Sequence, residues 1–315
     1  MALLANTLLP LILLISLGAV LSRIRFLGAQ FASDLNKLAF WIALPALLFR
    51  SAAGASQATP ATWWLLGVML LGTVLVSLLA WAWSRAVGVP ATGQGTFVQS
   101  AFRGNLAFIG IPVLAASVVD APESIRVSAL ASGVIVMALT MAFYNVLAVV
   151  VLQASRQQAG IGAGALVRPI ATNPLLLAGL SGLALALAGV RLPAFLDRTL
   201  EVLGGAAVPI ALLCIGGSLT MTRFVGRRSW IAWAALFKVA VSPLLIGGLA
   251  WLVGLGPIEM RIALVFASTS TAAAAYVMAR QMEGDESLAS GSIALSTTLS
   301  SLSLAVALIL TPLEE

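Results

Sequence analysis

Apolar runs of bilayer-crossing length recur ten times along this chain, each followed by a short polar connection, and no other feature narrows its fold so much. A membrane helix needs about 17 to 25 predominantly apolar residues. The runs lie near 4-22, 36-53, 62-84, 95-118, 125-153, 173-190, 200-220, 229-253, 260-281 and 288-311. Nothing between them is long or polar enough for a soluble domain, so residues 1-315 form a single all-α integral membrane domain of ten transmembrane helices. Only 9% of residues are charged and the mean hydropathy is +1.07, against about 25% charged in soluble domains.

The basic residues set the orientation, because short loops rich in Lys and Arg stay on the cytoplasmic side. Ten basic residues follow odd-numbered spans (Arg23, Arg25, Lys37, Arg85, Arg156, Arg168, Arg223, Arg227, Arg228, Arg280) and five follow even-numbered ones (Arg50, Arg126, Arg191, Arg198, Arg261). Both termini are therefore expected outside. The net charge of +6 is accounted for by topology and by anionic headgroups rather than by nucleic acid. The first apolar run has no basic residue before it, and is expected to be an uncleaved helix. The arginine-rich, lysine-poor composition points to a bacterial inner (cytoplasmic) membrane.

Several chemistries are excluded. With a single cysteine, Cys214, and no histidine, there is no disulfide framework, no Cys/His metal site and no Ser/His or HExxH protease machinery. No cofactor is expected, and the chain is not expected to be an enzyme. The glycine run GIGAG at 160 to 164 lacks the strand and the acidic residue of a dinucleotide site and reads as a connector.

The ten runs divide into halves. The first five end near 153, a connector covers about 154-172, and the second five occupy about 173-315. An odd number of spans per half makes the halves inverted repeats. LPLILLISLGAVLSR resembles NPLLLAGLSGLALAL, and Pro45 corresponds to Pro209. The fourth span, FRGNLAFIGIPVL, corresponds to the ninth, LVFASTSTAAAAYVMARQ. Inverted repeats whose corresponding helices are both interrupted mark a secondary transporter with its site between the breaks.

In the fourth span the interruption is expected at Gly110 and Pro112, since proline removes a backbone donor and glycine leaves helical geometry cheaply. Irregular backbone at membrane depth requires surrounding protein or a water-filled cavity. The half-helix N-terminus facing that cavity favours an anion. Arg103 and Asn105 share the span. Arg103 either faces the cavity or snorkels to the headgroups. Lys238, deep in the eighth span, either attracts anions or gates, or else serves as a structural partner to a helix carbonyl.

FRGNLAFIGIPVL resembles the fourth-helix signature of the auxin efflux carrier family, which includes plant PIN-type carriers and bacterial permeases of the malonate and dicarboxylate kind. TNPLLLAGLSGLAL and YVMARQMEGDESLASGSIALSTTLSSLSL resemble its sixth helix and its ninth-to-tenth region, so the resemblance spans nearly the whole chain. It implies a fold similar to bile acid/sodium symporters, with two inverted five-helix repeats and helices 4 and 9 crossing where they unwind. It further implies that Asn105 helps bind a substrate carboxylate, with Tyr144 and Asn145 contributing from the fifth helix. One departure stands out: where the family usually carries proline in the ninth helix, this chain has Ser270. The break there either is weaker or rests on Ser268, Thr269, Ser270 and Thr271, whose hydroxyls satisfy freed backbone groups.

The expectation is a carrier for a small organic anion, a carboxylate or dicarboxylate, working by alternating access, with Asn105, Arg103, Gly110, Pro112, Tyr144, Asn145, Ser270 and Thr271 at the site and Lys238 aiding attraction or gating. A channel or a membrane sensor of organic acids is the alternative. Coupling to sodium or protons stays open, with no acidic residue at either break. Abundant alanine and glycine serve internal packing and a homodimer equally well.

Overall fold

The computed structural model describes residues 13–14, 16–26, 28–53, 59–156, 172, 174–221 and 227–312. The beginning of the first span, most of the 154-172 connector and its GIGAG run lie outside the described residues. Among those described the chain is all-helical, with one isolated β-bridge. In chain order the helices are α1 (16–23), α2 (29–53), α3 (Pro60–Ala86), α4 (Ala91–Phe102), α5 (106–117), α6 (Glu123–Arg156), α7 (Pro174–Leu187), α8 (Ala194–Gly205), α9 (Ala207–Met221), α10 (Arg228–Val253), α11 (Pro257–Ser268), α12 (Ala274–Gln281) and α13 (Glu286–Leu310). Four of them, α3, α6, α10 and α13, are each long and apolar enough to cross a membrane. The chain is an integral membrane protein.

Local chemistry sets the helix ends. Thr59 caps α3, its hydroxyl accepting from the Thr62 N–H at 3.3 Å, and Pro60 takes the first helical position, where a missing donor costs nothing. The Asp285 carboxylate accepts from the Leu288 N–H at 2.9 Å and starts α13. Gly254, at φ 73°, closes α10 in the left-handed conformation.

Prolines inside helices are absorbed in one recurring way. A single wide π turn ends two residues before each of Pro45, Pro112 and Pro243: Ala39–Ala43 in α2, Leu106–Gly110 in α5 and Phe237–Val241 in α10. Proline lacks an N–H and its ring collides with the carbonyl four residues back. The extra residue of a π turn shifts that carbonyl away, and the helix continues. Pro112 therefore does not break its helix, contrary to the sequence expectation.

Packing is close. α2 lies on α7 and α8, α4 on α3 and α6, and α10 on α3, α11 and α13. Gly95 of α4 illustrates the fit, because a Cβ there would sit 2.6 Å from the Val151 carbonyl oxygen. Polar side chains tie helices together inside the bundle: Thr62 and Ser132 hydroxyls meet at 2.9 Å between α3 and α6. Arg261 at the start of α11 donates to the Ser117 carbonyl at 2.8 Å and to the Thr311 carbonyl at 3.0 Å. One cation thus caps the C-terminal ends of α5 and α13. Large apolar side chains such as Leu244, Trp251 and Leu302 are exposed, as expected of a surface turned to lipid. Trp63 and Trp64 near one end of α3 and Trp83 near the other are exposed too, like the anchors of an aromatic belt.

Candidate functional site

Two helices are interrupted within the bundle, and their interruptions touch. After Phe102 the chain turns extended at Arg103 (φ −74°, ψ 93°) and re-enters a helix at Leu106, with Asn105 as cap, its side-chain oxygen accepting from the Phe108 N–H at 3.3 Å. After Ser268 the chain is extended at Thr269 (φ −62°, ψ 154°) and resumes as α12 at Ala274. The Asn105 N–H donates to the Ser270 carbonyl at 2.8 Å, and the Ala272 N–H donates to the Arg103 carbonyl at 2.9 Å. This pair forms an antiparallel bridge centred on Gly104 and Thr271. Backbone groups freed by one break are satisfied by the other, as low-dielectric surroundings demand.

Side chains complete the accounting. The Thr271 hydroxyl donates to the Ser100 carbonyl at 2.7 Å, and the Thr271 N–H donates to the Ser296 hydroxyl at 3.0 Å. The Thr269 hydroxyl donates to the Phe266 carbonyl at 2.7 Å, and the Gln99 amide nitrogen donates to the Ala275 carbonyl at 2.9 Å. The ninth span is therefore broken without a proline: the Thr269 and Ser296 hydroxyls meet groups that its unwinding exposes, while the Thr271 hydroxyl and the Gln99 amide tie the two interrupted spans together. Gly104 is what lets the strands meet: a Cβ there would lie 2.6 Å from the Thr269 hydroxyl oxygen and 3.3 Å from the Phe266 carbonyl oxygen.

Beside the bridge lies a cavity of about 290 Å³. Asn105 to Phe108, the N-terminal turn of α5, form part of its wall, and Ala272 to Ala274, where α12 begins, form another. Both helix ends carry partial positive charge. Arg103, Tyr144 and Asn145 add the polar side chains; Phe40 and Leu175 contribute from α2 and α7. Phe40 and Phe108, both in its lining, stack on each other with ring centroids 6.0 Å apart and planes 6° from parallel.

Arg103 gives the cavity its charge. It is buried, with 7% exposed. Its guanidinium donates to the Asn145 side-chain oxygen at 2.5 Å and contacts the Met278 sulfur at 2.9 Å. Neither partner is anionic, and among the described residues no carboxylate lines the cavity. The Tyr144 hydroxyl engages Thr73 and the Gly104 backbone, while its ring lies 5.6 Å from that of Phe102. The Asn105 side-chain nitrogen has no protein partner among the described residues. The arrangement offers an anion two helix N-termini, a fixed guanidinium, an amide N–H₂ and a phenol, and its acceptors are few.

Of the residues singled out from sequence, Arg103, Asn105, Tyr144 and Asn145 line this cavity. Gly110 and Pro112 are buried in α5, with Gly110 against the Phe266 ring. Ser270 and Thr271 are buried in the bridge rather than in the cavity wall. Lys238 is buried away from that wall and donates to the Ala267 carbonyl at 2.5 Å. Gly104, Phe40 and Leu175 were not anticipated. Gly104 sat in plain view between Arg103 and Asn105, whereas Phe40 and Leu175 are apolar residues in apolar runs.

A family model described as membrane transport protein matches residues 3–160 and 163–308, and the chain belongs to that family, the one whose auxin efflux carriers and bacterial permeases its fourth span resembles. It is 29% identical over 305 residues, 95% of each chain, to a protein of Methanothermobacter thermautotrophicus named "Uncharacterized transporter". It is 27% identical over 312 residues, 95% of this chain and 93% of the other, to a Rhizobium meliloti protein named "Putative malonate transporter". The family and these relatives are transporters, not enzymes.

Proposed function

We propose that this chain is a secondary carrier for a small organic anion, a carboxylate or dicarboxylate of malonate size, that binds in the cavity beside the Gly104–Thr271 bridge. The observation that carries the reading is the buried Arg103 guanidinium, held by neutral partners next to two helix N-termini. A buried cation without a counter-charge is costly, and a substrate carboxylate would neutralise it. A volume of about 290 Å³ lies at the lower edge of small-molecule sites, which run about 300 to 1,000 Å³. The name of the Rhizobium relative is in keeping with a dicarboxylate.

In this reading the ten spans form two inverted five-helix repeats, helices 4 and 9 cross at the bridge, and alternating access exposes the cavity to each side in turn. Both termini lie outside a bacterial inner membrane, and any homodimer is built on the lipid-facing surface. The test is a thermal-shift panel of mono- and dicarboxylates on the purified protein, followed by uptake into proteoliposomes of any acid that binds. Ligand stabilisation grows as RT ln(1 + [L]/Kd), so weak substrates register at high excess. Saturable uptake of a stabilising acid is expected. Binding without movement would mark a sensor, and non-saturating flux a channel.

A further inference from the structure

Lys238 has a task that the anion cavity does not explain. It lies in the π turn Phe237–Val241, about ten residues into α10, with none of its surface exposed. A lysine at such depth needs a partner. Its only one among the described residues is the Ala267 carbonyl, at 2.5 Å, in the last turn of α11. The break after Ser268 leaves that turn with carbonyls that no further helical turn satisfies, and a helix C-terminus carries roughly half a negative charge. Thr269 takes the Phe266 carbonyl and Lys238 takes that of Ala267.

Among the described residues no carboxylate competes for the ammonium. The π turn packs against α3, α4, α11 and α13. α3 carries only Arg85, in its last turn, and α4 carries no charge; α11 has Glu259 and Arg261 in its first turns, and α13 has only Glu286, its first residue. Glu259 precedes Ala267 by eight residues, ~12 Å of helix. Ser268 and Ser270 add buried hydroxyl oxygens without partners at the same helix end, but no negative charge.

In carriers built on broken helices, the C-terminal ends of half-helices and unwound carbonyls are where a coupling sodium ion or proton is held. Here a side-chain ammonium already occupies such an end, and a sodium ion beside it would meet like charge with no carboxylate among the described residues to offset it, so the residues do not fit sodium. We propose that Lys238 is a tethered cation that completes the crossing in place of a metal ion. Folding and ligand binding are then indifferent to sodium.

The experiment compares the thermal stability of purified wild type, Lys238→Arg, Lys238→Met and Lys238→Ala in choline, sodium and methylammonium chloride at equal ionic strength. Wild type is expected to melt at the same temperature in all three salts. Lys238→Met keeps the length and loses the charge, and should melt roughly 5 °C lower, with no salt restoring it. Lys238→Ala should fall further and recover in part with methylammonium, a small cation that enters the vacated space; Lys238→Arg should remain within a degree or two of wild type. A wild type that sodium stabilises over choline would overturn the proposal even if no variant folds. So would a Lys238→Met protein as stable as wild type. None of these measurements needs a substrate, so failure of the anion reading would leave this result separately legible.

Discussion

The Arg103 guanidinium donates to the Asn145 side-chain oxygen at 2.5 Å, and this amide rather than a carboxylate fixes the cation in the cavity wall. Replacing Arg103 by Met should lower anion affinity by one to two orders of magnitude, since a charged hydrogen bond contributes about 1.5 to 3 kcal/mol and each tenfold is about 1.4 kcal/mol. Lysine at 103 should recover part of it, lacking the planar fork. Isothermal titration with the best acid from the panel checks both; unchanged affinity in Arg103→Met would remove the guanidinium from the site.

In the proposed carrier Asn105 combines two roles that substitution can separate. Its side-chain oxygen caps α5, and its nitrogen is free for ligand. Asn105→Ala should cost about 1 kcal/mol of stability as well as binding, whereas Asn105→Ser keeps a good cap and should cost only a few tenths while still losing ligand. Melting temperatures with and without substrate separate the two effects. Ligand stabilisation retained in Asn105→Ser would reduce the residue to a cap.

Gly104→Ala should destabilise the protein by about 1 to 3 kcal/mol, because its methyl would crowd the Thr269 hydroxyl and the Phe266 carbonyl. Adding Thr269→Ala removes the nearest atom but also a hydrogen bond to Phe266, so the double variant should recover only part of the loss. A double-mutant cycle on denaturation reads the coupling. Strict additivity would show that the two positions do not meet.

Pro112→Ala is expected to change little. The π turn Leu106–Gly110 already accommodates the proline, and the interruption lies at Arg103 to Asn105, so transport should persist with a stability change within about 1 kcal/mol. Loss of uptake in this variant would return the break to Gly110 and Pro112.

Those four positions also show where sequence is an adequate guide. A signature of polar and breaking residues inside an apolar run marked the right span, because each is expensive in lipid without a reason. It misplaced the interruption by several residues, since a proline alone does not say whether the preceding turn will widen to accommodate it. It also could not say which hydroxyls would support the ninth-span break: Thr269 and Thr271 do, with the Ser296 hydroxyl and the Gln99 amide reaching in from α13 and α4, whereas the Ser268 and Ser270 hydroxyls find no partner among the described residues, and such proximity exists only in three dimensions. The cavity's apolar residues, Phe40 and Leu175, carried no mark at all. Lys238 was visible as a problem, and only its neighbour Ala267 made it an answer.

The bridge between Gly104 and Thr271 restricts how such a molecule can move. Sliding one interrupted helix past the other would expose two paired amides and two paired carbonyls where no water replaces them, at several kcal/mol for each group left unsatisfied. In the proposed carrier the two helices would therefore travel as a single sewn panel. Relative displacement would then fall at the far side of the cavity, where Phe40 meets Phe108 through an apolar ring contact that can shear without unpairing a backbone group. The stacked rings of Phe40 and Phe108 straddle that slip plane.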